Sequence, residues 1–164
     1  MNPSRGGWII LLTFAAALIL TIFHAPLTWP DWLGWLRPGW VVLVVFFWVM
    51  ELPHRIGLIS AWIVGLLVDV LYADPLGLNG LVLAAVTYVT WRFYERLRMY
   101  SVLQQCGVVF LMVLGGECTR QIVQGQATGR EWTWLMLLPA LVSTLVWPFL
   151  YILLQNLRVQ FRVE

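Results

Sequence analysis

Two short patterns in this chain have spacings that chemistry could use. The first is Glu51-Leu-Pro-His54, with Arg55 directly behind it. A carboxylate and an imidazole three residues apart form the E-x-x-H spacing which, supplied by two helices, ligates metal pairs inside carboxylate bundles. One copy is present, and Pro53 stands within it. Proline disfavours helical geometry at Leu52, so Glu51 and His54 need not share a helix face. Pro53, His54 and Arg55 read instead as a tight turn between two apolar runs. The second pattern is Glu117-Cys-Thr-Arg120, whose charged ends are neighbours on one helical face. Asp69, inside IVGLLVDVLY, and Arg37, just ahead of another apolar run, complete the set.

For catalysis the sequence offers little. A serine nucleophile needs a base within hydrogen-bond reach, and His24 and His54 fall near opposite ends of the apolar segments. There is no glycine-rich phosphate loop and no H-E-x-x-H pair. Cys106 and Cys118 share one apolar segment, and twelve residues of helix hold them about 18 Å apart, too far for a disulfide. No Cys/His spacing resembles a zinc site. Neither a metal nor a cofactor is implied, and a net charge of +2 gives no basis for nucleic-acid binding.

The elements that must position these residues are apolar helices. Only 11% of the 164 residues are charged and 61% are hydrophobic, against about 25% charged in ordinary globular chains. Six candidate membrane spans emerge: Trp8–Leu27, Gly39–Leu52, Ile56–Tyr72, Leu78–Trp91, Ser101–Val123 and Trp132–Leu154. The expected fold class is an all-α integral membrane protein, one polytopic domain over residues 1–164 built as a six-helix bundle. The second and fourth spans are short and must tilt little, extend into flanking residues or thin the bilayer. The first has a basic residue ahead of it but no small-residue cleavage site behind it, and reads as uncleaved. Pro38 is placed in the first turn of span two, and Pro139 and Pro148 are expected to kink span six. The inner segment Arg92–Tyr100 and the tail Gln155–Glu164 read as non-spanning.

All ten basic residues are arginine. With the N-terminus inside, Arg5, Arg55, Arg92, Arg96, Arg98, Arg158 and Arg162 are cytoplasmic, and Arg37 and Arg130 lie outside. Arg120 is embedded. That asymmetry predicts both termini in the cytoplasm. Trp29, Trp32 and Trp35 then fall in the first outer loop, as headgroup-level anchors or as a docking surface for a periplasmic partner.

On this frame Asp69, Glu117, Arg120 and Arg37 lie at similar depth, as a charged cluster in the outer half of the bundle. Ionisable groups at such depth are costly and are functional candidates. Glu117 and Arg120 could also simply neutralise each other, with Asp69 bonded to a neighbouring helix. Gly65 and the pair Gly115–Gly116 permit close helix approach.

The runs RPGWVVL from Arg37, WVMELPHRI from Trp48, GLLVDV from Gly65 and PLGLNG from Pro75, together with chain length, span count and a short basic tail, resemble the rod shape-determining protein MreD family of Gram-negative bacteria. The resemblance implies a non-enzymatic component of the cell inner membrane, within the elongasome that builds the lateral peptidoglycan wall. Its expected direct partner is MreC. RodA with its penicillin-binding transpeptidase, and MreB, are expected in the same complex. The resemblance also implies a fold similar to the substrate-binding subunits of energy-coupling-factor transporters. The alternative is a small-molecule-binding membrane subunit of a vitamin-type transporter, with the charged cluster as its pocket.

Overall fold

A helix that is apolar on every side has to be covered on every side, and WVVLVVFFWVME, starting at Trp40, is such a sequence. The computed structural model describes residues 7–22, 36–72, 74–128 and 133–161. Among them lie the helices α1 (Gly7–Ile22), α2 (Trp40–Glu51), α3 (Leu58–Tyr72), α4 (Leu78–Met99), α5 (Val102–Thr128) and α6 (Leu137–Gln160). A 3-10 turn, Trp134–Met136, leads into α6. The helix α2 is the axis of the bundle. Every residue from Leu43 to Glu51 is buried, and α1, α4, α5 and α6 all pack on it. Phe46, Phe47, Trp48 and Trp147 form the centre of the core, with Phe46 and Trp147 edge to face at 5.0 Å.

The bundle buries polar side chains within its apolar core and exposes large apolar ones on its outside. Leu11, Ile59, Met99, Leu103, Leu145 and Phe149 keep 71% to 83% of their surface exposed, whereas Asp69, Thr90 and Ser143 keep none. A water-soluble chain does not expose apolar surface on this scale. By length and composition, Val102–Gln126 and Trp134–Gln160 suffice to cross a membrane, while α1, α2 and α3 are shorter apolar helices. These features are consistent with a membrane protein.

Where lipid supplies no hydrogen bonds, polar side chains must find partners on neighbouring helices, and several here do. The Trp48 indole donates to Thr13 Oγ1 at 2.9 Å, joining α2 to α1. The Gly39 amide donates to Ser143 Oγ at 2.9 Å, joining the start of α2 to α6. Gln105 accepts from the Trp147 indole at 3.3 Å and donates to the Leu97 carbonyl at 3.1 Å, holding α5 to α6 and to the end of α4. The closest approach is between α3 and α4, where a Cβ built on Gly65 would stand 2.3 Å from the Gly80 Cα.

Several sequence expectations need correction. The segment Arg92–Tyr100 is helical almost throughout, because α4 continues to Met99, and more than half of Gln155–Glu164 is the last part of α6, which ends at Gln160. Pro38 precedes α2 rather than occupying its first turn; Gly39 is the residue before the helix. Pro139 falls in the first turn of α6, where no intrahelical donor is required, so only Pro148 interrupts the helix interior. Gly115 faces open space, whereas Gly116 meets Val82 of α4.

Candidate functional site

The chain between α3 and α4 must turn within five residues, and Gly77 makes this possible with a φ of +96°. Glycine has no side chain with which to cap the helix it opens. Asp69, one turn before the end of α3, supplies the missing acceptor. Its Oδ2 accepts from the Gly77 amide at 2.8 Å. Its Oδ1 accepts from the Asn79 amide at 2.7 Å and from Asn79 Nδ2 at 2.9 Å. A carboxylate at the N-terminus of α4 also meets the positive end of that helix dipole. Asp69 is fully buried, so this acid is matched bond for bond by donors.

Asn79 passes the network onward. Its Oδ1 accepts from Arg120 Nη2 of α5 at 2.6 Å, and its Nδ2 also reaches Asp74 Oδ2 at 3.1 Å. Arg120 Nη1 donates to Glu117 Oε1 at 2.5 Å, and its Nε lies 3.7 Å from Asp74 Oδ2. Gln124 donates to the other Asp74 oxygen at 2.8 Å. The Arg120 guanidinium also sits 5.8 Å from the centre of the Tyr72 ring, within cation–π range. The result is one continuous network across α3, α4 and α5.

This network forms one wall of a cavity of ≈ 630 Å³. Arg37, Tyr72, Asp74, Asn79, Glu117 and Arg120 line it, over a floor that includes Val82, Leu83 and Val113. Arg37, Glu117 and Arg120 therefore share one space. Asp69 does not line it and lies behind Asn79. The acids are engaged within the protein, while Arg37 has no carboxylate in ion-pair range among the described residues. The arrangement suits holding helices and receiving a polar group. It contains no paired nucleophile and base.

Pro53, His54 and Arg55 form the turn between α2 and α3 at the opposite end of the bundle. Glu51 and His54 do not converge: His54 is exposed, and Glu51 is buried against Arg158 of α6, with Arg98 of α4 at 3.8 Å. Sequence reasoning singled out Asp69, Glu117 and Arg120 as the costly charges and missed that Glu51 is buried as well. It also missed Asp74 and Asn79, although an Asp-Pro-Leu-Gly-Leu-Asn run ahead of an apolar stretch is a helix-start signal. His24, Trp29, Trp32 and Trp35 lie outside the described residues.

The Glu51 pairing makes a checkable prediction. Glu51→Gln keeps a hydrogen-bond acceptor but leaves Arg158 without its acid. Because Arg158 and Arg98 are partly exposed, the expected loss is about 1–2 kcal/mol rather than that of a fully buried pair. It would be read as a lowered melting temperature of the detergent-solubilised protein. Arg158→Gln should lower it comparably, and the double variant by less than the sum.

The polar residues above lie within a stretch that has relatives. The family model of the rod shape-determining protein MreD matches residues 4–157. The rod shape-determining protein MreD of Haemophilus influenzae (strain Rd) is 30% identical over 152 residues, which cover 92% of this chain and 91% of that protein. No solved structure matches. Both sequence matches run from the first apolar helix to the last, including the α2–α3 turn and the whole network around Asn79, and so this chain belongs to the MreD family of rod shape-determining proteins.

Proposed function

We propose that this chain is a non-enzymatic, multi-pass scaffold of the bacterial inner membrane that sustains rod shape by binding MreC. In the same assembly it would tune lateral peptidoglycan synthesis by RodA and its penicillin-binding transpeptidase, in register with MreB. The observation that carries this reading is the family match across nearly the whole chain. The apolar exterior supports the membrane setting, and the arginine asymmetry supports cytoplasmic termini. With short connections between helices, partners would be met through helix faces and interfacial aromatics, Trp29, Trp32 and Trp35 among them. The cluster of Asp69, Glu117, Arg120 and Arg37 would hold the outer end in the shape that partners recognise, and the Pro53–Arg55 turn would face the cytoplasm.

The test is depletion in a rod-shaped host followed by expression of this chain. Depleted cells are expected to round up, and the chain to restore rods and to co-purify with MreC from detergent. Rods that persist through depletion would refute the scaffold. A second reading, a small-molecule-binding subunit of a vitamin-type transporter, is favoured by the cavity, which Arg37 lines with no carboxylate in ion-pair range among the described residues. Loss of uptake of one nutrient with shape intact would establish it instead.

A further inference from the structure

A second cavity, of ≈ 520 Å³, lies at the other end of the bundle from the Asn79 network. It opens between the first two turns of α1 and the first two turns of α3. Those helices pack on α2 and on α4 respectively and leave a cleft between themselves. Ile10, Phe14 and Ile56 are buried in its floor, while Leu11 of the α1 wall is 71% exposed, so the cleft opens sideways. Among the described residues, Arg55 and Ser60 are its only charged or hydroxyl-bearing lining residues. Arg98 and Arg158 share Glu51, and Arg120 has Glu117 and Asp74. The Arg55 guanidinium, by contrast, has no carboxylate or other acceptor among the described residues.

An apolar slot with an uncompensated cation at one end has the asymmetry of an amphiphile. We propose that the α1–α3 cleft is a binding site for one anionic phospholipid, with its phosphate on Arg55 and an acyl chain along Ile10, Phe14 and Val64. The site rests on the membrane reading above, which sets the α2–α3 turn at the cytoplasmic headgroup level. Basic pockets between helices on that side are recognition sites for acidic headgroups. Its volume lies within the roughly 300–1,000 Å³ of small-molecule sites, and the helical rise from Gly7 to Phe14, about 10 Å, accepts the upper part of an acyl chain. A partner helix would fill the apolar part, but it would have to bring its own carboxylate to Arg55. Every lipid in the leaflet already carries a phosphate at that level.

The test is native mass spectrometry of the full-length protein, solubilised in detergent, with phosphatidylglycerol or phosphatidylcholine added. Wild type is expected to retain one phosphatidylglycerol, roughly fivefold more strongly than phosphatidylcholine, the increment of one arginine at a membrane surface. Arg55→Gln should remove that preference, whereas Arg96→Gln, an exposed arginine outside the cleft, should keep it. Filling the slot from either wall, with Val64→Trp or Leu11→Trp, should abolish retention, so failure of one variant to fold leaves the other. Equal losses in Arg55→Gln and Arg96→Gln, or retention in a folded filled variant, would overturn the site. So would a polypeptide adduct that phosphatidylglycerol does not displace. Recovery of the chain in the soluble fraction before detergent is added would overturn the membrane reading itself, and the site with it.

Discussion

Asp69→Ala is expected to cost the bundle about 3–5 kcal/mol, the combined penalty for hydrogen-bond donors left without their acceptor. The carboxylate accepts three N–H bonds, from the Gly77 amide, the Asn79 amide and Asn79 Nδ2. Alanine would strand the two buried Asn79 donors and leave the half-buried Gly77 amide without its acceptor, and each stranded donor costs about 1–3 kcal/mol before any relaxation. Asp69→Asn separates charge from acceptor count. Its single oxygen can serve both Asn79 donors, but its amide nitrogen then faces the Gly77 N–H, donor against donor. The asparagine variant should therefore fall between wild type and alanine, about 1–3 kcal/mol down. Thermal melting in detergent reads the order; an asparagine variant as stable as wild type would mean that the Gly77 bond contributes nothing. Shape complementation adds the functional axis. An asparagine variant that is stable and abundant yet fails to restore rods would assign Asp69 a role beyond holding the turn.

Gly65→Ala is the second large effect, expected at about 3 kcal/mol, the upper end of overpacking penalties. The new methyl would lie 2.3 Å from Gly80 Cα, 2.5 Å from Gly80 N and 2.6 Å from the Asn79 carbonyl oxygen. All three are backbone atoms, so no side chain can swing away. The facing residue is already glycine, so no smaller partner can compensate. The helices α3 and α4 must part, and Asn79 moves with them. For that reason the Gly65→Ala and Asp69→Ala losses should not add, because each breaks the same junction. Additive losses in the double variant would show that the close approach and the carboxylate cap are independent.

Legibility from the sequence followed the range of the interaction. Helices announced themselves through uninterrupted apolar runs, and Asp69 through the cost of an acid inside one. Helix ends were misplaced where distant contacts extend them. Gln105 holds the end of α4, and Arg158 near the end of α6 reaches Glu51 across 107 positions. No local periodicity encodes such a pairing. Arg120 was paired correctly with Glu117, three residues away, but its tether to Asn79 lies 41 residues off and escaped notice. Asn79 falls at the start of the fourth apolar span, Leu78–Trp91, where nothing local marks it as a partner of α3 and α5. Family membership was legible because it rests on linear runs such as WVMELPHRI, which require no folding to recognise.

The burial of α2 bears on how such a protein is made. At 12 residues it is about 18 Å long, well short of a ~30 Å hydrocarbon core. Four helices pack on it, three of which are synthesised after it. In the membrane setting proposed above, α2 would leave the ribosome before most of its neighbours exist and without the length to be held by lipid alone. Its insertion would be provisional, secured by α1 through the Trp48–Thr13 bond until α4, α5 and α6 arrive to enclose it. Truncations that end after α3 would then be the ones a membrane quality-control protease removes fastest, although their apolar content is no lower than that of the finished chain.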